Sequence, residues 1–251
     1  MSDSLVFDAY SRYYDLLYQD KDYEGEVEYI DSLLQAYGVT GCELMEFGSG
    51  TGKHGRLLAE KGYNITGIEL SDSMVHKAQN TDVFTCQQGD IRTVSLGRNF
   101  DSVLALFHVV SYQTTNADVQ AVFQRATEHL KKGGLFVFDV WYSPAVYNLK
   151  PETRVKRMTN DEVEVIRIAE PNILPNENRV DVNYTVFVQD KITNSYNKFS
   201  ETHPMRHFSE PEMESFAEKN NFTVLKAEEF LTGNKPSEKT WGVCFILKKV
   251  M

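Results

Sequence analysis

The chain has 251 residues, of which 41% are hydrophobic, and a formal net charge of −10 at pH 7. This length buries a full core, either as one large domain or as one domain with an insertion. The acidic balance and the lack of a long basic run exclude a nucleic-acid partner, whose phosphates attract Lys and Arg. Neither a run of 18 apolar residues nor a basic leader is present, so the sequence predicts a cytoplasmic protein with no membrane partner.

Three cysteines, Cys42, Cys86 and Cys244, stand far apart along the chain. Their number is odd, and no C-x-x-C pair offers the spacing of a metal site. The sequence therefore predicts buried free thiols in a reducing compartment and no bound metal.

The first 40 residues are rich in tyrosine and contain one predicted helix. The run Tyr13-Tyr14-Asp15-Leu16-Leu17-Tyr18 precedes Lys21-Asp22-Tyr23. A helix is predicted over 24–37 and ends before Gly38, a residue that commonly follows a helix. The rings either pack this helix against the core or face a ligand, since a tyrosine excludes water and still hydrogen-bonds through its hydroxyl.

A glycine-rich turn follows the first predicted strand, in the run Glu46-Phe47-Gly48-Ser49-Gly50-Thr51-Gly52. A helix begins directly after it, so its amides and the helix dipole favour a negative ligand group. The turn is one position too short for a phosphate-binding Walker loop, and His54 stands where that loop needs Ser or Thr. The dinucleotide pattern G-x-G-x-x-G is present over 50–55, but alone it is a weak signal.

Strand-like and helical segments alternate from residue 42 to residue 140. We predict strands over 42–47, 64–69, 83–87, 100–106 and 134–140, and helices over 52–61, 73–79 and 117–130. Near-continuous apolar strands separated by helices indicate a parallel sheet that is covered on both faces. Ligands of such sheets bind at the carboxyl ends of the strands, where Glu46, Glu69, Asp90 and Phe107-His108 fall.

The pattern changes after Trp141. Alternating β-rich runs over 154–158, 162–169, 179–189 and 195–207 are separated by turn residues, including Pro171-Asn172, and predict a small antiparallel sheet inserted after the fifth strand. A helix over 210–220 and strands over 222–230 and 240–249 complete the chain. A closing hairpin of this kind is rare in nicotinamide enzymes, which counts against a dehydrogenase.

Three segments together resemble the class I methyltransferases that depend on S-adenosylmethionine (SAM). Glu46-x-Gly48-x-Gly50-x-Gly52, with the acid Glu69 at the tip of the next strand, resembles motif I of that family. The segment 67–74, with Glu69, Ser71 and Met74, resembles its D/E-x-S-x-x-M segment, and Gln88-Gly89-Asp90-Ile91 resembles its acid-bearing turn beside the adenine. The resemblance covers roughly residues 40–140 and implies an α/β fold, namely a Rossmann-like seven-stranded class I methyltransferase sheet with an inserted small antiparallel β-sheet.

The resemblance also implies SAM as the cofactor. In that family the glycine turn passes under the methionine part, and the acid corresponding to Glu69 accepts both ribose hydroxyls. A tyrosine segment similar to Tyr14-Asp15-x-x-Tyr18 folds over the pocket. The cofactor-binding residues expected on this basis are Tyr14, Tyr18, Glu46, Gly48, Ser49, Gly50, Thr51, Gly52, His54, Glu69, Leu70, Met74, Gly89, Asp90, Ile91, Leu106 and Phe107.

Among methyltransferases of small molecules, the layout is most similar to the N-methyltransferases of nucleotide-linked amino sugars. The tyrosine-rich start and the aromatic pair Trp141-Tyr142 after strand five match that group. The sequence departs from that group at His108 and Tyr112. It also has Asp139 where a Glu is expected. The layout implies an N-terminal lid over 1–40, a SAM-binding domain over 41–141 and 209–251, and a subdomain over 142–208 for substrate binding or dimerisation.

Methyl transfer asks the protein to align the acceptor with the sulfonium, and an amine acceptor must lose its proton first. His108 and Tyr112 lie just past strand four, so they and Tyr14 are the catalytic candidates. His108 alternatively hydrogen-bonds in the core or to the cofactor, and Tyr112 alternatively packs as a lid ring. The expected substrate-binding residues are Tyr18, Tyr112, Trp141, Tyr142, Arg206 and His207.

Two functions stay open at this point. The first is methyl transfer to a small acceptor, either the amine of a nucleotide-linked sugar or the hydroxyl of another metabolite. The second is a methyltransferase-like binding or assembly protein without catalysis, with the inserted sheet as its interface. A homodimer is compatible with either function.

Overall fold

The structure is a computed structural model and describes residues 10–250. Residues 1–9 of the predicted N-terminal lid lie outside this range. The eleven strands are β1 (Glu43–Phe47), β2 (Asn64–Glu69), β3 (Phe84–Gln88), β4 (Phe100–Ala105), β5 (Leu130–Tyr142), β6 (Arg154–Thr159), β7 (Val163–Leu174), β8 (Arg179–Asp190), β9 (Tyr196–Phe208), β10 (Phe222–Glu229) and β11 (Gly242–Lys249). The helices are α1 (Tyr14–Leu17), α2 (Tyr23–Ala36), α3 (Lys53–Glu60), α4 (Asp72–Lys77), α5 (Asn116–His129), α6 (Ser143–Leu149) and α7 (Glu210–Lys219).

The core of the fold is a sheet of seven strands in the order β3-β2-β1-β4-β5-β11-β10. The first five strands are parallel, β11 runs antiparallel to β5, and β10 runs antiparallel to β11. Helices α3, α4 and α5 join β1 to β2, β2 to β3 and β4 to β5, because parallel neighbours need a crossover connection. The predicted fold class, a Rossmann-like methyltransferase sheet, is confirmed.

Two apolar layers cover this sheet, one on each face. One layer includes Ile30 of α2 and Leu58 of α3, and the other includes Phe123 of α5 and Met213 of α7. Because both faces are buried, the central strands carry apolar residues at consecutive positions instead of alternating with polar ones. This is why strand positions could be predicted from short apolar runs.

The inserted strands β6 to β9 pair antiparallel in chain order. They do not form a separate sheet, because β9 pairs in parallel with the end of β5 through Trp141 opposite His207 and Tyr142 opposite Phe208. The insert therefore continues the core sheet at the edge where the parallel strands end. Its position is fixed by backbone hydrogen bonds as well as by packing.

The predicted turn at Pro171-Asn172 is wrong. Strand β7 runs through this point to Leu174, and Pro171 lies opposite Val182 of β8. The other neighbour, β6, ends its pairing at Ala169, so Pro171 lies on a free edge where no amide donor is needed.

The helix α6 was not predicted. Cys86 and Cys244 are buried as expected, whereas Cys42 is exposed.

Helix α1 links the insert to the glycine turn. Leu17 is buried in a cluster with Val165, Val186 and Val188 of the inserted sheet. On its other side, Asp15 accepts a hydrogen bond from the Thr51 hydroxyl at 2.9 Å and pairs with Lys53 at 3.2 Å. The tyrosine-rich segment is thus held against both halves of the molecule.

Within residues 10–250 the helices are too short or too polar to cross a bilayer. In the same range no three His, Cys, Asp or Glu side chains are grouped so as to hold a metal ion.

We predict that Phe123→Ala destabilises the protein by about 3–5 kcal/mol, the usual cost of emptying a buried aromatic site. Phe123 is fully buried and contacts the rings of Phe136, Phe138, Phe216 and Phe222, so it joins α5 and α7 to the sheet. Urea unfolding measures the change, and Phe187→Ala at a partly exposed position of β8 serves as the control. A loss below about 1 kcal/mol for Phe123→Ala would contradict the assigned packing.

Candidate functional site

One cavity of about 890 Å³ lies at the carboxyl ends of the parallel strands. The glycine turn, the tip of β2 and the turn after β3 form one end of its wall, and the inserted sheet forms the other. Fifteen of the predicted cofactor residues line it, namely Tyr14, Tyr18, Gly48, Ser49, Gly50, Thr51, His54, Glu69, Leu70, Met74, Gly89, Asp90, Ile91, Leu106 and Phe107. The predicted catalytic residues His108 and Tyr112 and the aromatic residue Trp141 line the same cavity.

The glycine turn leaves open space at Gly50, where a ligand has to approach the backbone. Its φ is +57°, a value that side chains disfavour, and its amide donates to Glu69 Oε2 at 2.9 Å. A Cβ built at this position would meet only Met74 Sδ, at 3.9 Å. Gly50 therefore fits a bound group that lies directly on the turn.

Gly52, also predicted to bind the cofactor, does not line the cavity. Its φ is +76°, and an added Cβ would lie 2.5 Å from Cζ of Phe84 on β3. The close approach of helix α3 to this ring requires the glycine. This packing is sufficient to account for a glycine at position 52.

Glu69 lies at the tip of β2 with its carboxylate at the cavity wall and only 7% of its surface exposed. Oε1 accepts a hydrogen bond from the Ser71 amide at 2.8 Å, while Oε2 holds the Gly50 amide. Burial raises the pKa of Glu69, and the two amides oppose this rise. Each carboxylate oxygen still has a lone pair for a ligand hydroxyl.

Glu46 was predicted to bind the cofactor but lies beneath the turn, outside the cavity wall. It is almost fully buried and accepts a hydrogen bond from the Ser49 hydroxyl at 2.7 Å. Its Oε1 is 3.9 Å from Nδ1 of His54, whose Nε2 is 2.7 Å from Glu26 of helix α2. Burial raises the pKa of Glu46. The residue supports the turn from below and does not reach its ligand side.

Asp90, in the turn after β3, is held by Arg92. The guanidinium donates to the carboxylate through Nε at 3.0 Å and Nη2 at 2.8 Å and also reaches Asp118 on α5 at 3.4 Å. Burial alone would raise the pKa of Asp90, but the hydrogen bonds and charge of Arg92 lower it. The turn beside the cavity therefore carries a fixed, ionised carboxylate.

His108 lines the cavity and is paired with Asp139, which is buried behind it and does not line the cavity. Phe107 and His108 have φ of +66° and +62°, a conformation that is costly for residues other than glycine. Asp139, with 1% of its surface exposed, accepts the His108 amide at 3.1 Å and lies 2.6 Å from its ring Nδ1. Burial would raise the pKa of Asp139, but the charge and hydrogen bonds of His108 lower it.

This arrangement can act on a proton. Nδ1 of His108 is turned toward the Asp139 carboxylate as an ion-pair contact, which leaves Nε2 as the nitrogen that can exchange a proton with a ligand. The sequence marked Asp139 only as a departure from an expected Glu. Its function depends on the left-handed turn at Phe107-His108, which no local pattern predicts. The position of Asp139 near the end of β5, next to the end of β4, was the available signal.

The inserted sheet contributes residues that sequence reasoning did not assign. Arg154 of β6, Tyr184 of β8, and His203, Pro204 and Met205 of β9 line the cavity opposite the glycine turn. The hydroxyl of Tyr112 is 2.9 Å from Nδ1 of His203. Which face of an inserted strand points inward depends on its docking to β5, and the sequence leaves that undetermined.

Three predicted substrate-binding residues lie outside the cavity wall. Tyr142 donates to Glu210 at 3.1 Å, Arg206 pairs with Glu212 at 2.5 Å, and His207 is fully buried 2.8 Å from the Ser143 hydroxyl. The pairing of β9 with β5 carries all three past the cavity, toward helices α6 and α7. We leave them out of the acceptor site.

Known proteins share this fold. Residues 44–134 match the family model described as "Methyltransferase domain". The dTDP-3-amino-3,4,6-trideoxy-alpha-D-glucopyranose N,N-dimethyltransferase of Streptomyces venezuelae is 29% identical over 205 residues, which are 80% of this chain and 85% of that protein. The crystal structure of Streptomyces venezuelae DesVI has a TM-score of 0.79 at 25% identity and covers 94% of this chain and 97% of its own.

A third comparison shows the fold alone. SAM-bound CalS10, an amino pentose methyltransferase from Micromonospora echinaspora, has a TM-score of 0.76 at 21% identity, covering 99% of this chain and 100% of its own. The glycine turn, the acid at the tip of β2 and these matches lead to one conclusion. The chain carries a methyltransferase domain over residues 44–134 and is an enzyme that transfers methyl groups with S-adenosylmethionine as its cofactor.

Proposed function

We propose that this methyltransferase acts on the amine of a nucleotide-linked amino sugar. One observation carries the proposal: the glycine turn and His108, which is backed by Asp139, line the same cavity, whose far wall is the inserted sheet. A cofactor on the turn and an acceptor against the insert would therefore meet at His108. The Streptomyces venezuelae relative, named for a dTDP-linked 3-amino sugar, supports the choice of acceptor.

The cofactor end of the cavity fits SAM. Gly48 and Gly50 would lie under its methionine part, where Gly50 leaves room for a close approach. Glu69 would accept the ribose hydroxyls through lone pairs that its two amide contacts do not use. Asp90 and Ile91 would bound the adenine. Bound SAM supplies a methyl group on a sulfonium sulfur, and that sulfur leaves readily as a neutral thioether when the methyl group is transferred.

Helix α1 and the residues beside it would close this end as a lid. The Tyr18 ring lies 5.1 Å from the Phe107 ring, and the Tyr14 ring lies 4.7 Å from the Tyr18 ring. Both tyrosines line the cavity. In this position they exclude water from the reacting atoms, which strengthens every charge interaction inside.

The protein has two tasks in the reaction, alignment and proton removal. An amine attacks only through a free lone pair, so its proton must leave first. Nε2 of His108 would accept that proton, while the Asp139 carboxylate on Nδ1 orients the ring and stabilises its charged form. Tyr112 and Trp141 would bound the acceptor from the side of β5, and residues 142–208 would supply the opposite wall.

A hydroxyl acceptor is the second candidate, and the same pair favours it. A neutral alcohol is a weak nucleophile, so its methylation depends on a base more strongly than that of an amine. A His–Asp pair next to the cofactor turn is suited to that task.

Mass spectrometry of products separates the two candidates. The protein is incubated with SAM and, in parallel, with dTDP-3-amino-3,4,6-trideoxyglucose or its 3-hydroxy counterpart. We expect one or two added methyl groups on the amino sugar and none on the hydroxy sugar. Methylation of the hydroxy sugar alone would replace the amine with a hydroxyl acceptor. No S-adenosylhomocysteine (SAH) from either compound would contradict the proposed acceptor class.

We predict that Glu69→Gln weakens SAH binding by roughly 10–100-fold, because hydrogen bonds to a charged group contribute about 1.5–3 kcal/mol. The amide keeps the shape of the side chain but has one acceptor oxygen in place of two. Isothermal titration calorimetry measures the dissociation constant, and Glu60→Gln on the exposed end of α3 is the matched control. An unchanged constant for a folded Glu69→Gln protein would remove Glu69 from the cofactor site.

We predict that His108→Ala lowers kcat by about 10²-fold or more, the range of a positioned general base. SAH affinity stays within a few-fold, because the glycine turn and Glu69 are untouched. Asp139→Asn also lowers kcat, since the amide no longer stabilises a charged imidazole. The control is His76→Ala, at an exposed histidine of α4. If His108→Ala kept the wild-type kcat, the proton would leave by another route.

A further inference from the structure

Three side chains form a hydrogen-bonded row that starts at the cavity wall and runs into the inserted sheet. Tyr112 lies on the short 3₁₀ turn after β4, and its hydroxyl is 2.9 Å from Nδ1 of His203 on β9. Nε2 of His203 is 3.4 Å from a carboxylate oxygen of Glu201 on the same strand. The His203 and Glu201 side chains are 2% and 9% exposed, so the row is shielded from bulk water.

Glu201, at the end of the row farthest from Tyr112, determines which atoms of the row donate hydrogen bonds and which accept them. An ionised carboxylate has no hydrogen to donate, so Nε2 of His203 has to carry the hydrogen of the Glu201 contact. In a neutral imidazole the other nitrogen, Nδ1, is then a hydrogen-bond acceptor. Nδ1 receives the hydroxyl hydrogen of Tyr112, and the oxygen of Tyr112 faces other groups with its lone pairs.

The groups around the row keep His203 and Tyr112 uncharged. Burial lowers the pKa of His203, and the nearby Arg167 guanidinium lowers it further, against the opposing effect of Glu201. Burial holds the pKa of Tyr112 well above its usual value. The Tyr184 ring packs edge-on against His203 at 4.7 Å, and Arg167 lies over the Tyr184 ring at 4.9 Å.

We propose that His203 is a positioning residue that turns the hydroxyl hydrogen of Tyr112 away from the acceptor, so that Tyr112 offers the cavity a hydrogen-bond acceptor. This inference rests on the proposed function and deepens it by naming what selects the reacting group. The acceptor nitrogen must keep its lone pair directed at the methyl group. A Tyr112 hydroxyl that donated to that nitrogen would occupy the lone pair and block attack.

When the Tyr112 hydroxyl hydrogen points to His203, the Tyr112 oxygen accepts a hydrogen bond from the amine. The lone pair of the amine nitrogen then stays available to attack the methyl group. The N–H group becomes a stronger donor as positive charge develops on nitrogen, so this hydrogen bond strengthens in the transition state. His203 should therefore affect kcat more than KM. Its contribution runs through Tyr112 and vanishes when the Tyr112 hydroxyl is absent.

A double-mutant cycle tests this dependence on dTDP-3-amino-3,4,6-trideoxyglucose. We expect Tyr112→Phe and His203→Leu each to lower kcat by about tenfold, with KM and SAH affinity within about threefold. The double variant falls no further than either single variant. His203→Asn recovers most of the loss, because its side-chain oxygen can take the place of Nδ1. Thr202→Val, at an exposed position of β9, is the matched control.

A second measurement needs no acceptor. ¹⁵N NMR of histidine-labelled protein shows which ring nitrogen carries the hydrogen, and the His203 signals are assigned by their loss in His203→Asn. We expect hydrogen on Nε2 and a bare Nδ1 whose signal shifts in Tyr112→Phe. Hydrogen on Nδ1, or a double variant that loses another tenfold in kcat, overturns the inference. Failure of all amines as substrates would instead contradict the proposed function, while the NMR result still decides the polarity of the row.

Discussion

The parallel pairing of β1 with β2 and β4 is the constraint on which the site depends. Phe47 lies opposite Ile68, and the chain then turns so that the amides of Gly48 and Ser49 both donate to the Ile68 carbonyl, at 2.8 and 3.1 Å. This places the next amide, that of Gly50, on the carboxylate of Glu69. On the other side, β4 ends level with β1 and delivers Phe107 and His108 to the same edge. The glycine turn and His108, the proposed proton acceptor, therefore lie close together because neighbouring parallel strands end at the same level.

Buried carboxylates fix the groups at this edge before any ligand arrives. Glu46 holds the Ser49 hydroxyl, Glu69 holds two backbone amides, and Asp139 holds both the amide and the ring of His108. A buried carboxylate is unfavourable unless it has polar or charged partners, and each of these three has them, although both contacts of Asp139 are made by Oδ2. Asp139 holds the left-handed backbone at Phe107-His108 by accepting a hydrogen bond from the His108 amide. Such fixed groups need little rearrangement in a reaction, which is the general basis of electrostatic catalysis.

The core fold and the cofactor end could be predicted from the sequence because their signals are local. The turn at 46–52, the acid at Glu69 and the apolar runs of the parallel strands each occupy a few consecutive residues. Glu46 and Gly52 belong to the same motif but do not line the cavity, and a motif does not tell a residue that touches a ligand from one that supports the turn. Only the folded structure shows that Gly50 faces the cavity while Gly52 packs tightly against Phe84.

The acceptor end could not be predicted, because it depends on contacts between distant segments. His203 and His207 are four residues apart on β9, and the sequence favoured His207. The pairing of Trp141 with His207 carries His207 beyond the cavity and brings His203 to Tyr112. Whether a turn forms at Pro171 also depends on contacts between distant segments. Only the full sheet shows that β6 ends before Pro171, so that its backbone nitrogen lies on a free edge and strand β7 can continue.

A crystal structure of the complex with SAH and an amino-sugar nucleotide tests the central claim most directly, because that claim is geometric. The account predicts both ligands in the one cavity, with the cofactor on the glycine turn and the ribose at Glu69. The sugar amine should then lie in line with the cofactor sulfur and within hydrogen-bond distance of Nε2 of His108. An acceptor bound elsewhere, or an amine turned away from His108 toward solvent, would contradict it.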